Sequence, residues 1–113
     1  GAYAAALRRE QAGWRVELGG VFFVGHRPAP LAETDDRRPP LGATAQSSGQ
    51  IERMVLWLDG EPAGARTVRE QPFTGTIEAR PSARLAPGFH VVAVFAATAE
   101  TAGAAAWPFA LEG

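Results

Sequence analysis

Leu85-Ala86-Pro87-Gly88-Phe89-His90-Val91-Val92-Ala93-Val94-Phe95-Ala96-Ala97-Thr98 joins a Pro-Gly turn to the longest uninterrupted apolar run in the chain. Pro87 presets φ for the second position of a tight turn, and Gly88 can take the positive φ that the third position of a type II turn requires. The strand then begins at Phe89. Its residues alternate between two faces, with Phe89, Val91, Ala93, Phe95 and Ala97 on one and His90, Val92, Val94 and Ala96 on the other. Both faces are largely apolar. One can fill a core, and the other needs a second cover.

The rest of the chain sets the frame for that strand. Its 113 residues suffice for one domain whose core needs no disulfide or metal. Hydrophobic residues make up 46%, charged residues 20%, and the formal net charge is -1, which places the chain among globular proteins and gives no basis for a nucleic-acid partner. Cysteine is absent, so there is no disulfide and no thiolate metal site. Every basic residue is arginine, and neither lysine nor asparagine occurs. Lysine isopeptide crosslinks and N-linked glycosylation are thereby excluded. No apolar run approaches the roughly 20 residues of a membrane-spanning helix, so membrane insertion is not expected. Nothing has the charged start and apolar centre of a signal peptide, and a location outside the cell or on its surface therefore implies a mature chain.

Residues 1–13 admit two readings. Good helix formers from Tyr3 to Glu10, with Gly13 as a cap, suit a short helix. An extended arm with Tyr3, Ala5 and Leu7 on one face, docked on a sheet edge of its own or a neighbouring subunit, suits the same residues. Residues 14–26 read as a hairpin: Trp14, Val16 and Leu18 alternate with Arg15 and Glu17, Gly19-Gly20 offers a two-residue turn, and Val21 to Val24 follows. Residues 27–42, rich in proline and charge, read as a long surface loop. Beyond it, Thr44 to Ser48, Met54 to Leu58 closed by Asp59-Gly60, Ala65 to Glu70, Phe73 to Ala79 and Ala105 to Leu111 read as strands.

Short strands with this punctuation predict an all-β antiparallel sandwich. The run from Arg38-Pro39 through Val55-Leu56-Trp57-Leu58-Asp59-Gly60, Phe73-Thr74 and Leu85-Ala86-Pro87-Gly88-Phe89-His90-Val91-Val92 to Trp107-Pro108-Phe109-Ala110-Leu111 resembles bacterial immunoglobulin-like domains. The resemblance covers roughly the last two thirds of the chain and implies an immunoglobulin-like β-sandwich of about seven to nine strands over residues 14–113. It carries no catalytic residue. It also implies that Met54, Leu56, Leu58, His90, Val92, Val94 and Ala96 point inward.

Candidate chemistry is sparse. His90 follows a Pro-Gly turn inside an apolar strand and reads as a structural imidazole held by the backbone. Ser47, Ser48 and Ser82 lie in turn-like contexts without a nucleophile-elbow sequence. Glu33 with Asp35-Asp36, and Asp59 with Glu61, lack the spaced acidic ladder of a calcium loop and read as solvated turn charges. Arg8-Arg9 and Arg37-Arg38 are pairs offset by nearby acids. No catalytic residue, cofactor or metal site is expected, and the chain does not read as an enzyme.

The informative feature is apolar excess on strands that should have one wet face. Val55, Trp57, Phe89, Val91 and Phe95, with Tyr3 and Leu7 of the arm, are the candidate interface residues. Either the N-terminal hairpin or arm covers them within the chain, or another subunit does. The expected function is a noncatalytic structural or adhesive module of an extracellular or cell-envelope assembly, homo-oligomeric or filamentous, with other envelope proteins or polysaccharide as further partners. The alternative is a carbohydrate-binding module whose platform is Trp14, Trp57 or Tyr3. Absent asparagine and an aliphatic outer face favour protein contact.

Overall fold

A computed structural model describes residues 15–18, 20–67 and 73–113. Among these, nine strands form two sheets: β1 (Arg15–Leu18), β2 (Phe22–Arg27), β3 (Glu33–Thr34), β4 (Leu41–Gln46), β5 (Arg53–Leu58), β6 (Glu61–Thr67), β7 (Thr74–Ala79), β8 (Gly88–Ala97) and β9 (Ala102–Leu111). The large sheet runs β1-β9-β8-β5-β6, with β3 added in parallel to the end of β9, and the small sheet runs β2-β4-β7. The expected all-β sandwich is the fold observed. Strand β8 lies near the middle of the large sheet, paired with β5 on one side and β9 along its whole length on the other.

Alternation along each strand builds the core. Val21, Phe23, Leu41, Ala43, Ala45 and Ile77 from the small-sheet side meet Met54, Leu56, Val92, Val94, Ala96, Trp107 and Phe109 from the large sheet, all buried. Trp107 is 4% exposed and its indole N–H donates to the Pro28 carbonyl at 2.7 Å, so its one polar atom is satisfied. Gly103 belongs to the same buried face. A Cβ there would lie 2.8 Å from the Val21 carbonyl oxygen, so only glycine lets β9 pass beneath the chain entering β2.

Several expectations change. The predicted hairpin of residues 14–26 is a sheet switch: β1 pairs with β9 from Arg15↔Ala105 to Leu18↔Ala102, whereas β2 pairs with β4. A Gly-Gly step permits either path, and burial of Val21 and Phe23 against the opposite sheet selects the second. This hairpin therefore does not fold over the apolar outer face. The predicted loop of residues 27–42 is pinned to the edge of β9, where β3 pairs in parallel, Leu31 N–H donates to Pro108 O at 2.8 Å and Ala110 N–H donates to Ala32 O at 2.8 Å. Those are main-chain bonds, which demand no side-chain pattern. The strand expected at residues 65–70 starts at Glu61, and residues 68–70 lie outside the described ones. Phe73, expected in phase with Ile77, precedes β7 at φ 73° and is 53% exposed. The arm or helix of residues 1–13, with Tyr3 and Leu7, also lies outside the described residues.

Candidate functional site

The outer face of the large sheet follows from the same alternation. With Met54, Leu56, Val92 and Val94 inward, Val55 and Trp57 of β5 and Phe89, Val91, Ala93 and Phe95 of β8 turn outward. The register sets Val55 beside Phe95, Trp57 beside Ala93, Phe95 beside Ala104, Ala93 beside Ala106, Val91 beside Pro108 and Phe89 beside Ala110. Phe89 is 79% exposed and Val91 45%, while Val55, Trp57 and Phe95 are half-buried by their neighbours. The structure thus brings together five of the seven candidate interface residues.

Relief on this face has a definite form. Strand β8 contributes a ridge of Phe89, Val91 and Phe95, whereas β9 alongside contributes a low shelf of Ala104, Ala106 and Ala110. Arg53 is the single charged residue on the outward positions of β5, β8 and β9, and its guanidinium carbon sits 5.5 Å from the Phe95 ring centroid at the rim. The outward positions of β4 and β7 differ. They carry Thr44, Gln46, Thr74, Thr76 and Glu78, with the Thr44 and Thr76 hydroxyls 2.8 Å apart. One side of the sandwich is built for water, and the other is not.

His90 stands at the exposed end of this face but turns the opposite way. Its Nδ1 lies 2.7 Å from Asp59 Oδ2 and its Nε2 2.7 Å from the Ala86 carbonyl, and its ring stacks on Phe109 at 5.6 Å. Desolvation, the largest single influence, lowers its pKa, but the bonds to Asp59 and Ala86 and the Asp59 charge together outweigh it and leave the pKa raised. The expected structural imidazole is present, and its carboxylate partner, Asp59, is one of the acids expected as solvated turn charges. The signal lay in register: Leu58 opposite Val92 places the next residue, Asp59, beside the His90–Val91 step.

Other candidates hold loops. Ser47 Oγ accepts the Gly49 N–H at 3.0 Å, and Asp36 Oδ1 accepts the Arg38 N–H at 2.9 Å. Arg38 Nε donates to the Pro81 carbonyl at 2.9 Å. His26 meets Trp107 edge-on at 4.5 Å between ring centroids. Among the described residues, no group of three or more His, Cys, Asp or Glu side chains could hold a metal ion.

No protein-family model matches the chain. No curated protein matches it either. Among solved structures it is similar to the crystal structure of CopC from Methylosinus trichosporium OB3b, with TM-score 0.52 and 15% identity over 81% of this chain and 93% of that one. It is similar to a Jonesia denitrificans lytic polysaccharide monooxygenase, with TM-score 0.52 and 13% identity over 75% of this chain and 60% of that one. Fibronectin(III)-like modules of Clostridium thermocellum CbhA align with TM-score 0.47 and 22% identity over 81% and 95%. At these identities the first two likenesses carry the fold alone, in agreement with the two-sheet β-sandwich described above.

Proposed function

We propose that this chain is a noncatalytic module of the bacterial immunoglobulin-like type, serving a structural or adhesive assembly outside the cell or at its surface, and that it associates with further copies of itself through the outer face of the large sheet. The observation that carries the reading is an almost uncharged face with two large side chains, Phe89 and Val91, 79% and 45% exposed. A second copy is the favoured occupant because the β8 ridge and the β9 alanine shelf are complementary: a two-fold rotation sets each ridge on the other's shelf. Ten residues each in β8 and β9, six in β5 and seven in β6, at ~3.3 Å per residue and ~4.8 Å between strands, present about 500 Å² per copy. Two such faces give about 1,000 Å², which reaches the lower bound for a specific interface. Docking of this face on a different surface of the next copy, head to tail, would give a filament instead.

Carbohydrate recognition is less well supported. Trp57 has Ala93 and Pro62 as its cross-strand neighbours, and neither offers a hydroxyl-binding group beside the ring. Sedimentation of the full chain over a concentration series tests the proposal: wild type should associate, and Val91→Arg should be monomeric with an unchanged far-ultraviolet spectrum. A wild-type chain that stays a monodisperse monomer at high concentration would overturn it.

A further inference from the structure

We infer that His90 is a protonation-dependent staple that holds the Gly88–Val91 end of β8, and with it Phe89 and Val91 of the outer face, in strand geometry. The first ground is a gap in the sheet. Pairing between β5 and β8 ends at Leu58↔Val92, so residues 88–91 have only β9 as a strand partner. Asp59 takes the place of the missing rung: its N–H donates to Val91 O at 2.8 Å, and its Oδ1 accepts the Val91 N–H at 2.8 Å. Its other oxygen faces His90.

The second ground is the donor count. Both partners of the His90 ring, a carboxylate oxygen and a carbonyl oxygen at 2.7 Å each, can only accept. A neutral imidazole has one N–H and leaves one of these contacts acceptor against acceptor, while the imidazolium satisfies both. The charged or titratable group facing the ring from the β5–β6 turn is Asp59; β9 presents the Phe109 ring and the segment before β8 the Ala86 carbonyl, and neither titrates. The raised pKa agrees with this geometry. Protonation ties three pieces together, the Pro-Gly turn through Ala86, the Asp-Gly turn through Asp59, and the leading end of β8. Deprotonation frees one of them.

The staple itself stands on these contacts, and its consequence for assembly rests on the self-association proposed above. If that face mates with a second copy, mildly acidic conditions order the ridge for docking, and alkaline conditions loosen it. Nuclear magnetic resonance of the full chain, at about pH 5.5 and about pH 8.5, tests both parts. Hydrogen-exchange protection of the Val91 amide, corrected for intrinsic exchange, should fall about tenfold as pH rises, the scale of one charge-assisted hydrogen bond. In His90→Gln it should be low and independent of pH. The His90 ring should titrate above 6.5 in wild type and lower in Asp59→Asn. Val91 protection that ignores pH, or is equal in wild type and His90→Gln, overturns the staple. Sedimentation under the same conditions separates the two ideas. Monomers at both pH values with the Val91 response intact uphold the staple and remove the self-association reading, whereas association that ignores pH while Val91 responds overturns the staple's control of the face.

Discussion

Two tryptophans on opposite faces of the same sheet illustrate how a single residue's phase decides its task. Trp107 is buried with its N–H on Pro28, and Trp57 lies on the outward side of β5. Trp107→Ala should cost about 3 to 5 kcal/mol in a denaturant titration, because it opens a core cavity and strips the Pro28 carbonyl of its donor. Trp57→Ser, at a half-buried position, should cost less, about 1 to 2 kcal/mol of unfolding free energy, leave the domain folded and weaken association. A silent Trp107→Ala beside an unfolded Trp57→Ser would reverse the assignment. The sign of the pH effect also belongs to this scale. His90 has a raised pKa in the fold, so its stabilisation is complete below 6.5 and is lost as pH rises through the higher folded value. Thermal unfolding at stepped pH should show that loss in wild type and a smaller one in Asp59→Asn.

Two glycines constrain their strands for opposite reasons. At Gly88, φ is 120° and a Cβ would meet nothing within 4 Å, so a side chain there is opposed by backbone geometry alone. Gly88→Val should destabilise by about 1 to 3 kcal/mol through that strain. At Gly103 the backbone is ordinary and space is lacking, since a Cβ would sit 2.9 Å from the Val21 Cβ. Gly103→Ala should cost about 1 to 3 kcal/mol by overpacking, and Val21→Ala should leave most of that cost in place, because the carbonyl oxygen and Cβ that crowd the new methyl remain, an outcome that a double-mutant cycle reads directly. The alternations of β5, β8 and β9 were legible in the sequence because burial acts on every second residue. The partner of β1 was not. Gly19-Gly20 specifies that the chain turns, while the choice between a hairpin and a sheet switch depends on which distant edge is open, here β9 at Ala102–Ala105. Strand β3 was illegible for a related reason, as its bonds to β9 use main-chain atoms that every residue has.

At the scale of the whole molecule the two sheets differ in what they offer to solvent. An interface made by the large-sheet face would draw on apolar burial, so association should strengthen in sulfate and weaken on cooling. Sedimentation at two temperatures and two sulfate concentrations checks this, and association that weakens with added salt would point to charge instead. The antiparallel β-sandwich and the bare face were foreseeable from residue patterns. The staple at its end was only half so, since His90 stood out by its place after Pro-Gly, but Asp59, 31 residues away in the chain, became its partner through the pairing of β5 with β8.

The composite flank of β9 has a consequence for what such a protein avoids. On the side away from β8, β9 is shared between the four residues of β1 and the two residues of β3, with Pro108 between them. Proline has no N–H to donate, and Val91 opposite it spends its own main-chain groups on Asp59, so the missing donor costs the β8–β9 ladder nothing. The opposite flank ends in β6, which carries Glu61, Pro62 and Arg66. Short strands, proline and charge are the features that deny a stray chain a long template for pairing. Among the described residues, the large sheet thus offers its apolar surface for stacking, while the flanks from which amyloid would grow on it are blunted.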